Sequence, residues 1–258
     1  KPPPTASAAK AVSSSPVPAA APASVAPDSS ASAAPIHVRL PEGTPAATVV
    51  QVLRPAADAG DPRAACRLAL ELSKCQLGDK PTAAQKAACE GVSPEEARKA
   101  SNYLWQAAAA GNVGAMSRYA RDPMLDNLDA TESAGAWAQY DQNVESFLAR
   151  AVAGGDVMAL YFSWRATGTG IAAGGRRLIR VDPYMAAVYA NAATPLLDPR
   201  RQALVSKSAM LEESNLPPDE VEKARAEAQR IRETYFAGAQ RTEDTQNDSY
   251  MQPAQCDK

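Results

Sequence analysis

Hydrophobic and polar positions alternate briefly near the start of the patterned region and then settle into a helical period. Ile36, Val38 and Leu40 alternate with polar neighbours, which predicts a short extended segment with His37 on its polar side. From Thr44 the period is that of helices. Thr44 is placed to cap, Pro45 suits the first helical position, and Gly60 ends that helix. Asp61-Pro62 opens the next by the same signal. Ser93-Pro94-Glu95-Glu96 predicts a stronger start, in which Ser93 caps and Glu96 reaches back to complete a capping box. Asp182-Pro183, Asp198-Pro199 and Pro217-Pro218-Asp219 predict three further starts. With few β-branched runs between them, the pattern predicts an all-α domain. In the last helix Val221, Ala224, Ala228, Ile231 and Tyr235 step by three and four, a narrow apolar seam with Glu and Arg outside it. Such a helix suits the capped end of a helical array, with a dimerising coiled coil as the alternative.

Three stretches of this pattern align without gaps: AADAGDPRAACRLA from Ala56, AAAAGNVGAMSRYA from Ala107 and AVAGGDVMALYFSW from Ala151. Gly60, Gly111 and Gly155 are each followed by Asp or Asn, and Ala64, Ala115 and Ala159 sit four positions after each glycine. A left-handed glycine closes one helix, Asp61, Asn112 or Asp156 caps the next, and the alanine lets the two helices approach. Each unit therefore reads as a helical hairpin. Alanine runs in WQAAAAG (Trp105 to Gly111) and AVYANAA (Ala187 to Ala193) point to further close helix contacts.

These units resemble the Sel1-like repeat, a relative of the tetratricopeptide repeat. The fit is best from Ala159 onward, where Gly168-Thr169-Gly170-Ile171 matches the turn between repeats, and Asp182 with Ala186 to Ala193 matches the start of the next unit. The insertion AAGGRRLIRV separates that turn from the next helix, and the first two units lack the Gly-x-Gly turn. The resemblance spans roughly residues 46–194. It implies a short α-solenoid of helical hairpins, capped here by the C-terminal helix. It also implies an adaptor role in a bacterial envelope or secretion, with a protein or peptide partner on the concave face. Disulfide-rich members of the family, some linked to β-lactam binding, leave a cell-wall or β-lactam-type ligand-binding protein or enzyme as the alternative. Their cysteines recur once per repeat, whereas three of the cysteines here cluster near one unit.

Composition changes the picture at the ends. Residues 1–35 hold 12 Ala, 8 Pro and 8 Ser, too little large apolar surface to offset the entropy of ordering. They read as a disordered, semi-stiff tether, followed by a helical repeat domain over 36–238 and a C-terminal tail over 239–258, mobile unless Cys256 pins it. No apolar run is long enough to span a membrane. The first residue is Lys1, which reads as a mature or trimmed product with a leader or anchor upstream. A net charge of −2 offers no field for nucleic acid.

Candidate chemistry is sparse. The glycine-rich stretch TGTGIAAGGRR, Thr167 to Arg177, follows a helix rather than a strand and lacks Gly-Lys-Ser/Thr, so a repeat turn explains it better than a phosphate loop. Arg176, Arg177 and Arg180 read as a solvated basic loop. With His37 as the single histidine and no metal-type cysteine spacing, neither a triad nor a metal site can be built. Trp105, Trp137 and Trp164 fall in helices and read as packing residues. No cofactor and no catalytic group is expected.

Cys66, Cys75, Cys89 and Cys256 are expected to form disulfides, which implies an exported, periplasmic or secreted location. Cys66 and Cys75 are nine residues apart on one helix, about 13.5 Å, too far to bond each other. Two pairings remain: Cys75 with Cys89 and Cys66 with Cys256, or Cys66 with Cys89 and Cys75 with Cys256. The first is preferred because Gly78 and Pro81 give the short loop a turn.

Overall fold

The computed structural model describes residues 40–41, 43–76, 80–125, 128, 130–170, 173, 179–239 and 253–257. The tether, His37, Gly78, Ile171, Arg176, Arg177 and most of the 239–258 tail lie outside the described residues. The described chain is all-helical, with no strand. Its helices are α1 (Ala46–Asp58), α2 (Pro62–Lys74), α3 (Ala83–Ala88), α4 (Pro94–Arg98), α5 (Ala100–Ala109), α6 (Val113–Arg121) and α7 (Ala130–Ala153). They continue with α8 (Val157–Thr169), α9 (Pro183–Ala193), α10 (Pro199–Ser214) and α11 (Pro218–Tyr235). Single 3₁₀ turns cover Thr194–Leu196 and Pro253–Asp257.

Local capping chemistry sets most of these starts. The carboxylate of Asp61 accepts from the amides of Arg63 and Ala64, Asn112 from Ala115, Asp156 from Ala159, Asp182 from Met185, and Asp198 from Arg200 and Arg201. Gly60, Gly111 and Gly155 stand at φ +94°, +95° and +77° ahead of three of those caps.

Several starts and turns differ from the sequence expectation. α1 begins at Ala46 with Pro45 as its cap position, and the Thr44 hydroxyl instead donates to the carbonyl of Pro41 at 2.7 Å. Ser93 does cap, accepting from the Glu96 amide at 3.1 Å, but the Glu96 carboxylate bonds Arg54 and Lys99 and leaves the box open. Two cations outcompete one backbone amide for it. A complete capping box forms at Thr82 and Gln85, ahead of α3. Gly168 is a correction as well. It lies inside the last turn of α8, and only Gly170 takes the left-handed turn, at φ +70°. Gly168 serves close approach: a Cβ there would stand 3.2 Å from Oε1 of Glu212 and 3.7 Å from the Ala186 Cβ. In α11, Ala224 and Ala228 are fully buried, but Tyr235 is exposed and Phe236, one residue past the helix, is buried in its place.

Each long helix packs on those next to it in the chain: α1 on α2, α2 on α5, α5 on α6, α6 on α7, α7 on α8 and α8 on α9. At the end α9 carries both α10 and α11. Ala186, Ala187, Ala190, Ala192 and Ala193 are all wholly buried, as a helix enclosed on three sides requires. An aromatic cluster fills the space between α5, α6 and α7, where Tyr119 lies 5.5 Å from Trp105 and 5.6 Å from both Tyr140 and Phe147. A buried polar link joins consecutive hairpins, with the Ser117 hydroxyl donating to Asp156 at 2.9 Å.

Two disulfides close the structure. Cys75 bonds Cys89 with a Cα–Cα distance of 5.4 Å, and Cys66 bonds Cys256 at 5.5 Å. The second bond lays the 253–257 turn across α2 and α6. There the Asn112 amide, whose oxygen caps α6, donates to the Cys256 carbonyl at 2.8 Å. Residues 253–257 are thus held at two points.

Candidate functional site

Among the described residues a cleft of ≈ 230 Å³ lies where α7, α8 and α9 meet. Helical spacing supplies its walls. Glu145, Leu148 and Ala149 share one face of α7, Ser163, Ala166 and Thr167 one face of α8, and Met185 and Tyr189 one face of α9. The approach to α9 adds Ile179, Arg180 and Asp182.

Three contacts fix that approach. Gly170 turns the chain at the end of α8, where a Cβ would sit 3.0 Å from the Ile179 carbonyl oxygen and 3.0 Å from Cγ2 of Val181. The Ala173 amide donates to the buried Tyr140 hydroxyl at 3.0 Å. The Asp182 amide donates to the Thr167 carbonyl at 3.0 Å, while the Asp182 carboxylate caps α9.

The floor is apolar, made of Leu148, Ala149, Ala166, Ile179 and Met185, with exposed Glu145 and Arg180 at the rim. The Thr167 hydroxyl is turned to its own helix, donating to the Ser163 carbonyl at 2.7 Å. Burial first, then the nearby Glu227 and Asp182 carboxylates, push the Tyr189 phenol above its usual range. Tyr189 therefore lines the cleft as a neutral phenol at neutral pH. A volume near 230 Å³ is below the usual range for drug-sized ligands, so the cleft fits one or two side chains rather than a dinucleotide.

Of the residues singled out in the sequence, the cysteines and Gly60, Gly111 and Gly155 do not line this cleft, whereas Asp182 and Arg180 do. Gly170 shapes its entrance, and Arg180 stands on its rim. Glu145, Leu148, Met185 and Tyr189 had no sequence signal beyond helical spacing, because the cleft arises where α9 meets the α7–α8 pair. Among the described residues no group of His, Cys, Asp or Glu could hold a metal ion, and no helix is long and apolar enough to cross a membrane. Comparison with protein-family models, curated proteins and solved structures gives no match.

Proposed function

We propose that this chain is a non-enzymatic, exported scaffold or adaptor that stacks Sel1-like helical hairpins into a short α-solenoid and holds a peptide segment of a partner protein in the α7–α8–α9 cleft. The observation that carries the reading is the cleft itself: an apolar floor on three rigid helices with an unlike pair of charges, Glu145 and Arg180, at its mouth. That combination seats an apolar side chain and orients the backbone around it. The neighbour-on-neighbour helix order supports the solenoid part of the reading. Two buried disulfides favour a periplasmic or secreted location, because such bonds persist in oxidising compartments.

The test is site-specific photo-crosslinking in the envelope of the producing cell. A benzophenone amino acid in place of Ala149, exposed at the cleft, is expected to give a discrete protein adduct that Arg180→Glu weakens. The same probe in place of Arg230, exposed on α11, is expected to give none. Equal labelling from both positions would rule out the cleft as the docking site.

A further inference from the structure

We propose that the outer face of α10 is a second docking surface, shaped for an amphipathic helix of a partner protein whose apolar stripe is flanked by acidic residues. The sequence of α10 places Arg200, Leu204, Lys207, Leu211 and Ser214 at steps of four and three along one line, with Ala203 and Met210 beside it. All seven residues are exposed, and Leu204, Met210 and Leu211 reach 52%, 64% and 59%. Half of the large apolar side chains exposed on the described molecule therefore lie on this one face.

Position in the fold says what is missing there. The second helix of each hairpin is covered by the first helix of the next: α2 by α5, α6 by α7 and α8 by α9. The helix α10 occupies the same place after α9, but α11 turns back onto α9 instead of covering it. The open face stands where one more helix would pack.

Charge says what that helix carries. Among the described residues, Arg201 pairs with Asp198 and Glu213 with Arg225, and Glu212 leans toward Gly168. The first pair lies at the helix's own cap and the second reaches α11. Arg200 and Lys207 belong to neither pair and are the charges on the stripe, which holds no acid. A helix with glutamates or aspartates beside its leucines completes both the apolar and the ionic halves of the contact. A second copy of this chain fits poorly, because Lys207 sits midway between Leu204 and Leu211 and an antiparallel two-fold pairing would bring Lys207 against Lys207. An anionic bilayer also fits poorly: the apolar stretch from Leu204 to Leu211 is only about 10 Å long, with Lys207 inside it and Arg200 beyond it, on a chain of net charge −2.

The experiment titrates the full oxidised chain against a synthetic helical peptide of about five turns, with leucines at alternating steps of three and four flanked by glutamates. A lysine-flanked twin, vesicles containing phosphatidylglycerol and sedimentation of the protein alone run beside it. The glutamate peptide is expected to bind about tenfold more tightly than its twin, and less tightly as salt rises. Lys207→Glu is expected to narrow or reverse that preference by about fivefold, Leu204→Glu with Leu211→Glu to abolish binding, and Arg180→Glu in the cleft to leave it unchanged. Circular dichroism checks that these surface variants stay helical. Equal binding of the two peptides, or a preference that Lys207→Glu leaves intact, overturns the proposal. So does tighter binding to vesicles than to either peptide, or a dimer that Leu204→Glu dissolves.

Discussion

The turn glycines differ in what a side chain would meet, and this gives a graded prediction. Gly60 and Gly155 both stand at positive φ, so an alanine at either carries the strain of a left-handed non-glycine residue, on the order of 1–2 kcal/mol. At Gly60 nothing lies within 4 Å of the new Cβ, whereas at Gly155 the backbone carbonyl oxygen of Tyr235 would be 2.9 Å away. That contact involves backbone and cannot rotate aside. Gly155→Ala is therefore expected to lower the melting temperature clearly more than Gly60→Ala, and equal shifts would show that the end of α11 yields freely. A second residue-scale prediction concerns acid. Burial alone would raise the Asp198 carboxyl, but the Arg201 amide, the Arg201 guanidinium and the Arg200 amide outweigh it and hold the group below its ordinary range. With the folded value depressed, its stabilisation is complete above the unfolded value of about 3.9 and is lost as pH falls through the folded one. Asp198→Asn is expected to flatten the fall in urea midpoint between about pH 5 and pH 3, and an unchanged slope would remove this carboxylate from the acid response. Capping residues such as Asp198 are legible in sequence because cap and amide are two or three residues apart. Glu96 was misread for the converse reason: its strongest partner, Arg54, is 42 residues away and no local pattern announces it.

At the scale of elements, alanine was the most informative residue. The run in α9 was read as close packing, and the structure encloses that helix between α8, α10 and α11. Ala190 is wholly buried there, so Ala190→Leu adds three carbons where no space is left. The expected cost is about 1–3 kcal/mol, read from urea denaturation, with loss of helix contact at α9 first. A stable, unperturbed Ala190→Leu variant would mean that α9 is less tightly enclosed than its burial indicates. The short helix α3 was less legible, whereas α4 starts at Ser93-Pro94 as its capping signal predicts. Of α3 no residue is buried, so the segment has no apolar period to read, and its start rests on the Thr82–Gln85 box alone. Tyr235 failed for a related reason. A seam of threes and fours assumes that the helix continues, but α11 ends at Tyr235, the chain turns, and Phe236 reaches the core from outside the helical register.

Across the whole molecule the covalent ties are unevenly placed, and this should be visible in its dynamics. Cys75–Cys89 closes the chain around α3, and Cys66–Cys256 straps residues 253–257 over α2 and α6. The far side, α9 to α11, is held by packing and by ion pairs such as Glu213 with Arg225. The four cysteines were plain in the sequence, but the landing place of the strap was not. Cys256 lies 190 residues from Cys66, and only the fold shows its carbonyl meeting Asn112. When each helix leans chiefly on its chain neighbours, local stability is set by adjacent contacts and an end opens more cheaply than the middle. The amides of α10 and α11 are therefore expected to exchange hydrogen faster than those of α2, α5 and α6 in the oxidised protein. In the chain-entropy model the 190-residue loop contributes roughly 5 kcal/mol and the 14-residue loop roughly 3, so losing the strap is the larger perturbation. Cys256→Ser is then expected to raise exchange first in α2 and α6, where the strap lies, and to leave α10 and α11 at their original rates. If all helices speed up together, opening is global, the molecule is one cooperative unit, and the neighbour-by-neighbour account of its stability is wrong.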